Sequence, residues 1–121
     1  IFDRETYNKN PMQFFAVATN AITGEPEYHD CKIANTETLD WFRASGAMPL
    51  AARPVKIGNK ILVDGGISDS IPLKKMQDLG FAKNVVILTQ PADYIKKENK
   101  LLPLLKINLR KYPKVIEAIK D

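Results

Sequence analysis

A layered α/β fold is what this chain predicts, and three observations carry the expectation. Residues 13–19, QFFAVAT, and residues 84–89, NVVILT, are nearly unbroken, β-rich apolar runs of the kind found in strands covered on both faces. Between them lie stretches with helical spacing and capping residues. The composition, 45% hydrophobic and 26% charged over 121 residues, is that of a globular chain long enough for one domain with a modest core. Buried strands separated by helices stack into layers.

In order, the first strand covers 13–19. Thr23-Gly24-Glu25-Pro26 is a turn signal, after which Glu27 to Cys31 returns as a short hairpin partner. Asn35 precedes an acidic first turn, and Leu39, Phe42 and Arg43 follow at helical spacing, which predicts a helix over 36–44 ended by Gly46 and Pro49. Residues 45–50 then form a tight loop of small residues. Val55 to Ile57, Gly58-Asn59 and Lys60 to Val63 read as a two-stranded ribbon about a glycine turn. Pro72 suits the first turn of a second helix, with Ser70 or Asp69 as its cap and Gly80 as its stop. The second buried strand is expected at 84–89. Residues 96–100 read as a charged linker, Leu101 to Leu105 as an apolar stretch broken by Pro103, and 114–120 as a helix carrying Val115, Ile116 and Ile119. The organisation expected is thus 1–92 as the main body and 93–121 as a basic helical tail.

The formal charge of +4 is unevenly placed. Residues 1–92 hold as many basic as acidic side chains, so the whole excess lies in 93–121. Such a tail suits anionic lipid headgroups, or simply a solvated helix face. The aromatic residues among these cations, Tyr94 and Tyr112, are too few to make the stacking platform that nucleic acid would require, so nucleic acid is not expected as a partner. No run approaches the roughly 20 apolar residues of a membrane-spanning helix. Cys31 is the sole cysteine and His29 the sole histidine. That excludes an internal disulfide and a thiolate metal cluster, and neither a Cys–His nucleophilic pair nor a metal site is expected. The expected compartment is the cytoplasm, with peripheral contact at membranes. Because the sequence starts at Ile1, it is expected to be a segment of a longer chain.

Serine nucleophiles of α/β hydrolases sit in a G-x-S-x-G elbow between strand and helix. Gly66-Ile67-Ser68-Asp69-Ser70 and Arg43-Ala44-Ser45-Gly46-Ala47 both fall short of that pattern, so neither is taken as the nucleophile. Gly65-Gly66 alone does not make a phosphate loop. The candidate that remains is Asp64, in Leu62-Val63-Asp64-Gly65-Gly66. An aspartate at a strand's end, followed by two residues without side chains, can project its carboxylate into a cleft. It can equally cap a turn by accepting from its own backbone, and spacing alone leaves both readings open.

Four blocks taken together carry more: Phe14 to Thr19 with Thr23-Gly24; Ala44-Ser45-Gly46-Ala47-Met48-Pro49; Pro54-Val55; and Val63-Asp64-Gly65-Gly66-Ile67-Ser68-Asp69-Ser70-Ile71-Pro72. Their order and spacing resemble the second half of the catalytic domain of patatin-like phospholipases, and residues 91–113 resemble the bacterial branch. The resemblance implies a three-layer α/β/α serine acyl hydrolase that cleaves fatty acyl esters with a Ser-Asp dyad and requires no metal or other cofactor. It implies that Asp64 is the dyad aspartate within the motif it forms with Gly65 and Gly66, and that nucleophile and oxyanion loop lie in an N-terminal half of the same domain, upstream of these residues. The segment alone is then expected to be inactive. Many relatives have Asn two residues before the motif's proline, where this chain has Ser70. Met48 is a candidate contact for the acyl chain. The alternative expectation is a parent that has lost activity and serves as a lipid-binding or scaffold protein through its basic tail; absence of an upstream elbow would favour it.

Overall fold

A computed structural model describes residues 3–91, 93–95 and 100–120. It is a mixed α/β structure, as the sequence predicts, built on a four-stranded antiparallel sheet with helices on both faces. Helix α1 (Arg4–Lys9), which the sequence reading did not foresee, is capped by the Asp3 carboxylate accepting from Thr6 N–H. Its Tyr7 hydroxyl donates to the Cys31 carbonyl, and Asn8 Oδ1 accepts from Ala34 N–H at 2.8 Å, which ties this short helix to the far end of the hairpin.

Strand β1 (Phe15–Asn20) turns through Gly24 into β2 (Pro26–Asp30), with Val17 opposite Tyr28. Gly24 has φ +77, and a Cβ there would stand 2.9 Å from the Lys114 carbonyl oxygen. Only glycine both adopts that turn and lets the C-terminal helix come so close. Helix α2 (Thr36–Ser45) begins where its cap predicts, with Asn35 Oδ1 accepting from Thr38 N–H at 2.8 Å, and ends at Gly46. Strands β3 (Val55–Ile57) and β4 (Lys60–Asp64) make the expected ribbon about Gly58, which has φ +58. The strand order is β2-β1-β4-β3, so β1 and β4 are central.

Alternation along β4 explains the layering, since successive side chains of a strand point to opposite faces. Leu62, fully buried, joins Ala16, Ala18, Trp41, Ala44 and Val55 in a core under α2. Its neighbour Val63 turns the other way, against Leu105, Leu109 and Val115. Those last three come from α4 (Leu102–Asn108), the loop after it and α5 (Pro113–Lys120). The basic C-terminal segment therefore carries the apolar stripe that covers the sheet's second face, while Lys100, Lys106, Arg110, Lys111 and Lys114 are exposed. Among the described residues no helix is long and apolar enough to cross a membrane.

Three expectations need correction. Residues 84–89 do not form a strand: they have no ladder partner among the described residues, and Val85 and Ile87 are 92% and 88% exposed. β-propensity measures fit to a pleated, half-buried surface, and no strand of this sheet runs beside this stretch. Helix α3 (Leu73–Asp78) starts after Pro72 without a side-chain cap, because Ser70 and Asp69 are both engaged elsewhere. Pro103 does not break the apolar run; it lies in the first turn of α4, where its missing N–H has no intrahelical acceptor to lose. The expected stop at Gly80, with φ +94, is present. Residues 96–99 of the expected charged linker lie outside the described residues.

Candidate active site

Asp64 is the last residue of β4, paired with Ala18 of β1, and it leads into a single 3-10 turn, Gly65–Ile67. Its own backbone is held from two directions. Its N–H donates to the Ala47 carbonyl at 3.1 Å. Its carbonyl accepts from the hydroxyl of Thr19 at 2.7 Å, and Thr19 is fully buried. The carboxylate is oriented as well: Oδ1 accepts from Gly66 N–H at 2.7 Å. This is the self-capping turn that spacing alone left open, but it occupies one oxygen only. Among the described residues no hydrogen bond or ion pair is made to Oδ2.

The two glycines have different reasons to be there. A Cβ at Gly65 would stand 2.2 Å from the Val17 carbonyl oxygen, so the turn can lie against β1 only without a side chain. A Cβ at Gly66 would meet Asp64 Oδ1 at 3.0 Å and Ser70 Oγ at 3.6 Å. The second glycine leaves room for the carboxylate itself.

The rest of the loop is braced across its width. Ser70 Oγ donates to the Gly66 carbonyl at 2.7 Å, and Asp69 N–H to the Gly65 carbonyl at 3.0 Å. Thr19 gives its only hydroxyl proton to Asp64, so Ser68 O–H donates to Thr19 Oγ1 across 2.8 Å. Tyr28 O–H donates to Asp69 Oδ2 at 2.5 Å. Burial, then the bond to the Asp69 carboxylate, pushes the Tyr28 phenol up to about 12. The sequence reading missed Thr19 and Tyr28 as determinants of this loop. A hydroxyl inside an apolar strand run was the available signal for Thr19; nothing local marked Tyr28, 41 residues from its partner.

Two cavities meet at Gly66. The larger, about 640 Å³, opens beside Phe15–Val17 of β1, and Phe42, Ser45, Asp69 and Ser70 line it. Strand β4 pairs with β1 only from Ala18 onward, which leaves that end of the strand uncovered on this side. The smaller, about 200 Å³, lies between Gly66-Ile67, the loop at Met48–Leu50 and the C-terminal helices. Asp64 lines neither; its carboxylate sits beside Gly66, which lines both. Met48, predicted to contact an acyl chain, is 60% exposed on the rim of the smaller cavity.

Neither His29 nor Cys31 lines either cavity at this turn. Residues two apart on an extended segment share a face, and the His29 ring stacks on Trp41 at 4.9 Å. The Cys31 thiol is buried, donates to the His29 carbonyl, and has its pKa raised by that burial. The two do not form a nucleophile–base pair.

Comparison with curated proteins yields no match. A family model described as Patatin, patatin-like phospholipase, matches residues 3–76, more than half of the chain, from α1 through β4 and the Asp64 loop into α3. Three of the four sequence blocks thus meet at one braced turn inside the matched region, through Val17 and Thr19, through Ala47 and through residues 64–70 themselves, and the chain belongs to the patatin-like phospholipases, a family of lipid acyl hydrolases.

Proposed function

We propose that Asp64 is the aspartate of a Ser-Asp dyad that hydrolyses fatty acyl esters, and that these residues are the C-terminal part of a catalytic domain of the bacterial branch. The observation that carries this reading is the way Asp64 is fixed: three hydrogen bonds, from Thr19, to Ala47 and from Gly66, while Oδ2 remains open to a further donor. A catalytic base needs a rigid position and a free lone pair, and this arrangement supplies both. The uncovered end of β1 and the 640 Å³ cleft beside Gly66 offer the approach for a serine from upstream sequence. Within residues 1–121 no G-x-S-x-G elbow occurs.

In the reaction the serine oxygen attacks the acyl carbonyl carbon while its proton passes to the Asp64 carboxylate. The tetrahedral oxyanion collapses, the C–O bond to the alcohol breaks, and the leaving oxygen takes that proton from Asp64. Water then repeats the sequence on the acyl-enzyme, with Asp64 accepting the water's proton and returning it to serine. A carboxylate acting directly on serine also fits the site's inventory, since the sole histidine is stacked on Trp41. Lacking nucleophile and oxyanion donors, residues 1–121 alone are expected to be inactive.

In the full chain, Asp64→Asn is expected to lower turnover of short acyl esters by about 10³-fold or more with circular dichroism and Tm unchanged. Undiminished turnover in the folded variant removes Asp64 from the mechanism.

A further inference from the structure

We infer that α4 and the turn after it form an interfacial segment, which seats this protein on the surface of an anionic lipid bilayer without crossing it. The inference stands on C-terminal residues outside the region matched by the family model and does not need the hydrolase reading. The helix is apolar on two sides. One side serves the fold: Leu105 and Leu109, 6% and 2% exposed, pack with Val63 and Val115 in the second core. The other faces solvent. Pro103, Leu104 and Ile107 are exposed there, Leu104 by 52% and Ile107 by 69%. Residues three or four apart share a helix face, so Ile107 lies beside both Pro103 and Leu104.

Charge identifies the occupant. Lys100 precedes these apolar residues, Lys106 lies among them, and Arg110 and Lys111 follow Ile107 at the same three- and four-residue spacing; all four cations are exposed. Residues 100–116 hold five Lys or Arg and no Asp or Glu. On the other helices exposed cations stand beside carboxylates, Lys9 with Glu5, Arg43 with Asp40 and Lys74 with Asp78, the mixture of signs that an ordinary solvated face carries. Around α4 the field has one sign. Nucleic acid would suit the cations but not the leucine and isoleucine between them, and an apolar protein groove would suit the leucine and isoleucine but leave the cations unanswered. An anionic bilayer answers both: the acyl boundary takes up the apolar side chains, while Lys and Arg stems extend to the headgroup phosphates. The 7 residues of α4, about 10 Å of helix, lie in that interface and are too short to span it.

The test is co-sedimentation of the full chain with vesicles of phosphatidylcholine, with and without phosphatidylglycerol, at low and high salt. Binding is expected to the anionic vesicles, about tenfold or more tighter than to phosphatidylcholine alone, and to weaken as salt rises. Lys106→Glu with Arg110→Glu should lower the affinity about 25-fold or more, roughly fivefold for each cation removed. Ile107→Asp should lower it about tenfold or more through the lost apolar contact. Lys32→Glu with Lys56→Glu makes the same change in net charge at exposed positions on other elements and should alter the affinity by less than about threefold. These side chains are exposed, so circular dichroism should be the same for every variant. Asp64→Asn should bind vesicles like the wild type, which keeps the result separate from the fate of the dyad. No binding to anionic vesicles, equal binding to neutral ones, or binding that Ile107→Asp and the Lys106, Arg110 pair leave unchanged overturns the inference. A dimer in sedimentation equilibrium that Ile107→Asp dissociates gives the face to a second copy and overturns it as well.

Discussion

Substituting alanine at Gly65 and at Gly66 separates a structural need from a catalytic one at adjacent positions. At Gly65 the new methyl would lie 2.2 Å from the Val17 carbonyl oxygen and 2.7 Å from its carbon, both backbone atoms of a central strand. Restoring ordinary contact requires about 1 Å of movement between the turn and β1, in an interior packed too densely to absorb it. Overpacking of this kind costs about 1–3 kcal/mol. The movement also strains the Ala18–Asp64 pairing beside it, where a weakened hydrogen bond adds about 1 kcal/mol. A loss of about 2–4 kcal/mol corresponds, for a domain of this size, to a fall in Tm of about 10 °C. At Gly66 the methyl would meet only the end of the Asp64 side chain, at 3.0 Å, and a rotation of that side chain relieves it. Gly66→Ala should therefore cost no more than about 1 kcal/mol in stability. The displaced carboxylate, however, should lower ester turnover by about 10²-fold, the usual consequence of misplacing a catalytic group by about 1 Å. Thermal melts followed by circular dichroism, paired with hydrolysis of a short acyl ester, read both effects. Gly65→Ala melting with the wild type, or Gly66→Ala losing as much stability as Gly65→Ala, would refute the reasoning.

Two further outcomes test the bracing of the loop. Thr19→Val keeps the shape of a fully buried side chain but strands the Asp64 carbonyl and the Ser68 hydroxyl, which should cost about 1–3 kcal/mol in urea denaturation, with Thr19→Ser recovering part of it; equal stability of Val and Thr at this position would contradict the role assigned to the hydroxyl. The folded-state pKa of Tyr28, about 12, lies above its ordinary value of 10.0, so the stabilisation from its bond to Asp69 is complete below pH 10 and lost as pH rises through about 12. The Tm difference between wild type and Tyr28→Phe should accordingly shrink over that alkaline interval, and a difference that stays constant with pH would exclude the Tyr28–Asp69 bond as its source.

Features set by a few consecutive residues were legible before any coordinates. Asn35 caps α2, Gly46 ends it, Gly58 turns the β3–β4 ribbon and Gly80 closes α3, each because a local hydrogen bond or a positive φ is decided within a few residues of the side chain that satisfies it. Asp64 stood out for the same reason, as a carboxylate ahead of two glycines, and the resemblance of four blocks to a known family added their order. The strand expected at 84–89 shows the limit: its β-rich composition is real, but a strand exists only when a partner ladder lies beside it, and among the described residues none does.

What holds Asp64 is long-range. The Thr19 hydroxyl reaches it across 45 residues, Ala47 accepts its N–H, Gly65 fits against Val17, and Tyr28 anchors the far side of the loop. Sequence order shows these residues but not their meeting, because each contact depends on the register of β1 against β4 and on the seat of α2. The basic C-terminal segment makes the same point from the other face of the sheet. Its charge and helical period are plain in the chain, yet its apolar stripe became a second core and a cavity wall only because Val63 points away from Leu62, and something apolar had to cover it.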